Sequence, residues 1–93
     1  MNLQQTGIAG TLESGDVMIE VAPSVKGINI DLESTVKTQF GKYIEKVVLQ
    51  TCKEFKLENV DVKLQDKGAL DCTIKARMIT AIQRAGGGEY EWK

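Results

Sequence analysis

Apolar residues in this chain recur at every second position, then at every third or fourth, then at every second again. Period two puts alternate side chains on one face of a strand, whereas a period near 3.6 draws a stripe along a helix. The sequence therefore has to build strands and helix around a shared core. Val17, Ile19 and Val21 alternate with Met18 and Glu20, and Ile8, Gly10 and Leu12 alternate with Ala9, Thr11 and Glu13. Taken as a hairpin with Ser14-Gly15 as a two-residue loop, these strands set Leu12 opposite Val17, Gly10 opposite Ile19 and Ile8 opposite Val21. Their apolar faces then coincide. Pro23 and Gly27 mark a connection over 22–27, after which Ile28, Ile30 and Leu32 form a third strand.

Ser34 or Thr35 can cap a long helix whose stripe is Val36, Phe40, Ile44, Val47, Val48, Thr51 and Phe55, with Gly41 a local weakness inside it. Val60, Val62 and Leu64 make a fourth strand and Asp66-Lys67-Gly68 a turn. Leu70, Cys72, Ile74 and Ala76 then read as the inward side of a fifth strand, and Met78, Ile79 and Ile82 begin a short last helix ending at Gly86-Gly87-Gly88. The expected class is α+β: a mostly antiparallel sheet of about five strands, with one long helix and a short C-terminal helix on one face.

A length of 93 residues allows one domain, residues 1–93, with 86–93 as a flexible tail. A compact chain of this size buries about two-thirds of its surface, enough for a core without metal or disulfide support. With 42% apolar and 27% charged residues, the composition excludes disordered and collagen-like classes. Histidine is absent, which removes Ser-His and Cys-His nucleophile pairs and every metal site that needs imidazole. The net charge of −1 gives no overall field to attract nucleic acid or a membrane surface. No apolar run approaches the ~18 residues of a membrane span. Met1-Asn2-Leu3-Gln4-Gln5 lacks the basic start of a secretory signal, and Cys52 and Cys72 make neither a disulfide framework nor a zinc site. The expected setting is cytoplasmic and reducing, with no bound metal.

Ser14, in Glu13-Ser14-Gly15-Asp16, falls at the expected tip of the first hairpin. Without histidine to activate it, this hydroxyl is a poor hydrolytic nucleophile. An exposed serine can still accept a covalent group from another enzyme, although turn chemistry alone gives Ser14 no more than a place in a turn.

The block Ala9-Gly10-Thr11-Leu12-Glu13-Ser14-Gly15-Asp16-Val17-Met18-Ile19, followed by Val21-Ala22-Pro23, resembles the N-terminal segment of the citrate lyase acyl carrier family, the gamma subunit of that complex. Asp66-Lys67-Gly68-Ala69-Leu70-Asp71-Cys72 resembles a second block of the family, and a helix containing Gln39-Phe40-Gly41 fits between them. The likeness covers most of residues 8–85; the tail, 86–93, matches little. The resemblance implies a carrier subunit and not a catalyst. Its serine, here Ser14, would hold a phosphoribosyl-dephospho-coenzyme A arm through a phosphodiester, placed there by a prosthetic-group transferase. The arm's thiol would carry acetyl and citryl thioesters between an alpha subunit (acyl transferase) and a beta subunit (citryl lyase), with oxaloacetate and acetate as products. A tethered thioester reaches both sites at high effective concentration. The Asp-Ser-Leu attachment motif of the four-helix acyl carriers is missing, so that fold is not expected.

Other residues have plainer expectations. Cys72, on the inward side of a strand, and Cys52, on the helix stripe, are expected to be buried and inert. Asp66 belongs to turn chemistry and Asp71 to the solvent face of a strand. Residues 1–34 carry a net charge of −4 and residues 35–57 a net +3. The hairpin end thus reads as an acidic patch, suited to basic surfaces of partner subunits. Two alternatives stay open: the carrier of malonate decarboxylase, which uses a similar arm, and a small nucleic-acid-binding module working through Lys42, Lys46 and Lys53.

Overall fold

The computed structural model describes residues 3–34 and 37–86. The segments of period two become β1 (Gly7–Gly10), β2 (Val17–Pro23), β3 (Ile28–Ser34) and β4 (Val60–Asp66). Two helices, α1 (Lys37–Glu54) and α2 (Asp71–Arg84), complete the described residues. The sheet runs β1-β2-β4-β3 and is mixed: β2 pairs antiparallel with β1 and β4, while β3 lies parallel to β4. The parallel pair follows from connectivity, since α1 carries the chain from the end of β3 back to the start of β4. The class is α+β, and the fold is not a four-helix bundle.

One face of the sheet is dry. Val17, Ile19 and Val21 of β2 and Val60, Val62 and Leu64 of β4 are buried against Ile44, Val48 and Cys52 of α1 and Ile74, Met78, Ile79 and Ile82 of α2. Their burial is the dominant favourable term in folding. The opposite face carries Met18 and Glu20, Asp31 and Glu33, and Lys63 and Gln65, with Lys63 in register between Glu20 and Asp31.

Two sequence expectations are corrected. In the first hairpin, Gly7 faces Val21, Ala9 faces Ile19 and Gly10 faces Met18. This is one residue out of the expected register, so Ala9 is buried and Ile8 is 46% exposed. The small residues face inward because α2 lies against β1: a Cβ on Gly7 would strike the carbonyl oxygen of Ala81. The strand ends at Gly10, whose φ of +94° suits glycine. The connection to β2 is therefore the six-residue segment 11–16, not a two-residue loop.

The expected fifth strand and short final helix are a single helix, α2. Ile74, Met78, Ala81, Ile82 and Ala85 are buried at helical steps of three and four. The alternation of Leu70, Cys72, Ile74 and Ala76 is a short coincidence upon that stripe. Leu70 precedes the helix and is 69% exposed, and Cys72 lies in its first turn, exposed rather than buried. The long helix, the third and fourth strands and the Asp66-Lys67-Gly68 turn match expectation, Gly68 having a φ of +87°. The stripe positions Val36 and Phe40 and the 86–93 tail beyond Gly86 lie outside what is described of the side chains and chain.

Candidate functional site

The segment 11–16 is short of apolar anchors and is held by polar contacts at its base. The Asp16 N–H donates to the Glu13 carbonyl at 3.0 Å, closing a four-residue turn with Ser14 and Gly15 at its corners. Gly15 has a φ of +83°, as the third position of a type II turn requires. The Glu13 N–H donates to Thr11 Oγ1 at 3.2 Å, and that hydroxyl donates to Asp16 Oδ2 at 2.7 Å. Ser14 is exposed at the corner, and beside it the space around Gly15 is open.

The turn is also tied to the end of β4. The Lys67 N–H donates to the Asp16 carbonyl at 2.9 Å, and the Gly15 N–H donates to the Lys67 carbonyl at 2.7 Å. These bonds continue the β2–β4 ladder one step past Val17 and Asp66. Asp66 itself is buried, accepting from Ser34 Oγ at 2.7 Å and from the Ala69 N–H at 3.0 Å, so it braces the turn over 66–69 as its turn chemistry suggested.

Arg77 reaches the same turn from across the fold. From α2 its Nε donates to Asp16 Oδ1 at 3.1 Å and its Nη2 to Asp16 Oδ2 at 3.0 Å, while the Val17 N–H donates to Oδ1 at 2.7 Å. The Arg77 guanidinium, the Thr11 hydroxyl and the Val17 N–H together hold the Asp16 carboxyl well below the usual carboxylate range. Local sequence carries no signal for this pair, because 61 positions separate its members. The acidic patch expected at the hairpin end is correspondingly reduced there, since Arg77 neutralises Asp16. Glu20, Asp31 and Glu33 lie instead on the open sheet face.

The remaining candidates do not join the site. Cys52 is fully buried and burial pushes its thiol up to about 11. Asp71 stands in the first turn of α2, not on a strand, and accepts from the Tyr43 hydroxyl at 2.9 Å, which raises the tyrosine's pKa. Lys42, Lys46 and Lys53 are exposed along α1. Among the described residues no group of histidine, cysteine, aspartate or glutamate could hold a metal, and no helix is long and apolar enough to cross a membrane. The chemistry this arrangement offers is a single accessible hydroxyl on a turn whose base is fixed.

Fold and site together define a small α+β domain that presents one serine on a braced turn. The chain belongs to an acyl carrier family: residues 4–85 match the family described as "ACP: Malonate decarboxylase delta subunit (MdcD)". Among its curated relatives it is similar to the citrate lyase acyl carrier proteins of Streptococcus uberis and Streptococcus mutans, with 52% and 53% identity over all of this chain and 93% of each relative. The citrate lyase acyl carrier protein of Lactobacillus acidophilus is 53% identical over 91% of this chain and 88% of that protein. In fold it is similar to a chain of a Pseudomonas malonate decarboxylase hetero-tetramer crystallised with malonate. The TM-score is 0.66 at 16% identity, covering 92% of this chain and 93% of that one.

Proposed function

We propose that this one-domain protein is the non-catalytic acyl carrier subunit of a citrate lyase complex and that Ser14 is its point of attachment. The observation that carries the reading is the exposure of Ser14 at the corner of a turn fixed on both sides of its base. The residues present fit a phosphodiester-linked arm of the phosphoribosyl-dephospho-coenzyme A type. The hydroxyl is accessible to a prosthetic-group transferase, and Gly15 adds no side chain beside it. When bound, such an arm supplies the thiol on which acetyl and citryl groups are carried. The chain contributes a fixed origin and freedom around it, so that one tether serves both an acyl transferase and a citryl lyase subunit. The names of the relatives support the citrate lyase assignment, and the hetero-tetramer with a similar fold supports work inside a multi-subunit complex. A cytoplasmic setting accords with this role.

The carrier of malonate decarboxylase is the second reading, favoured by the family description and the shared fold. Reconstitution with the partner subunits separates the two. Citrate consumption that depends on this chain and is lost with Ser14→Ala supports the first; malonate consumption with citrate untouched contradicts it.

A further inference from the structure

We propose that Arg77 is a positioning residue for Ser14, acting through Asp16; this rests on the assignment of Ser14 as the attachment point. The origin of the Arg77 side chain is rigid, because Ile74, Met78 and Ile79 around it on α2 are buried in the core. Its guanidinium meets both oxygens of Asp16 at 3.1 and 3.0 Å, the fork-to-fork geometry that fixes direction as well as distance. Asp16 in turn fixes the turn that holds Ser14, through its N–H to the Glu13 carbonyl and its carboxylate to the Thr11 hydroxyl. A chain of contacts therefore runs from the hydrophobic core, through Arg77 and Asp16, to Thr11 and Glu13, on the far side of Ser14. The corner itself stays exposed while its base is held.

The functional consequence is pre-organisation. A turn that samples its competent shape only part of the time lowers the apparent affinity of any enzyme that must recognise it, in proportion to the competent fraction. Lysine in place of arginine would bring charge but could not grip both carboxylate oxygens.

The test uses the full chain as wild type, Arg77→Gln and Arg77→Lys. Amide hydrogen exchange is read residue by residue, and Ser14 loading by the prosthetic-group transferase is followed by intact mass. In Arg77→Gln, protection at the Gly15 and Asp16 amides falls by roughly tenfold, KM for loading rises by a similar factor and kcat changes little. Exchange at Ile19, Leu64 and Met78 stays native, and Arg77→Lys recovers part of both losses. If Arg77→Gln does not fold, Asp16→Asn replaces it with the same expectations. Native exchange at Gly15 with a native KM overturns the proposal. A uniform loss of protection through the core also overturns it, because Arg77 would then support the whole fold rather than the turn. Should wild-type chain take up no adduct on Ser14, the attachment assignment fails, and the exchange measurements alone decide whether Arg77 holds the turn.

Discussion

Gly15 and Lys67 are joined backbone to backbone, the Gly15 N–H meeting the Lys67 carbonyl at 2.7 Å. That bond is the outermost rung of the β2–β4 pairing, and Ser14 is the next residue beyond it. The sheet thus ends where the exposed hydroxyl begins. The left-handed φ of Gly15 is what lets the chain turn there.

Replacing Gly15 tests this geometry without crowding anything, since a Cβ there meets no atom within 4 Å. The cost of Gly15→Ala is then the backbone penalty alone, about 1 kcal/mol. Thermal or urea unfolding should show that loss, and Gly15→Asn should lose less, because asparagine tolerates the left-handed region. An equal loss for both would point to something other than the backbone.

The depressed pKa of Asp16 has a definite sign. A carboxyl held below its unfolded value contributes stability that is fully present above about pH 4. That contribution erodes as pH falls below the unfolded pKa and is gone once pH has passed below the native one. Asp16→Asn should therefore melt at a lower temperature than wild type at pH 7, with the gap level down to about pH 4 and narrowing below it. Melting curves of both proteins between pH 7 and pH 2 check this; a gap that widens toward acid contradicts the assignment.

The two cysteines should separate cleanly. Burial disfavours the Cys52 thiolate, while Cys72 is exposed in the first turn of α2. At about pH 8 a thiol reagent should label Cys72 alone in the native chain, and Cys52 only after denaturant is added. Peptide mapping of the labelled protein identifies the site.

How the sequence disclosed the fold, and where it misled, follows from the length of each signal. Val60, Val62 and Leu64 alternate strictly with the polar Asp61, Lys63 and Gln65, and the stripe through Ile44, Val48 and Thr51 continues to Phe55, so both elements are legible. The first hairpin misleads because Gly7 and Ala9 face inward for their smallness, pressed by α2, while the larger Ile8 faces out. Four residues of apparent alternation over 70–76 conceal a helix whose true stripe becomes evident only when extended to Ala85. The exposed place of Ser14 in a turn was legible, but what holds that turn was not. Arg77 and Lys67 reach the turn across the fold, and no local pattern records such a meeting.

Gly41 offers a stabilising change. It lies inside α1, and a Cβ there would come within 3.8 Å of Leu32 Cδ2, ordinary contact with a flexible side chain. Gly41→Ala should raise stability by about 0.5–1 kcal/mol, through helix propensity and a less entropic unfolded chain. Denaturant midpoints at unchanged slope measure it; a loss would mean that α1 and β3 are packed too closely for a methyl group.

The account is tested most directly by mass spectrometry of the chain produced together with the modifying enzymes, read first intact and then on the tryptic peptide that ends at Lys26. The expected result is a phosphodiester-linked adduct with adenine absorbance, localised to Ser14 and missing from Ser14→Ala. An adduct that survives in Ser14→Ala, or a bare chain that supports full turnover in the assembled complex, would contradict it.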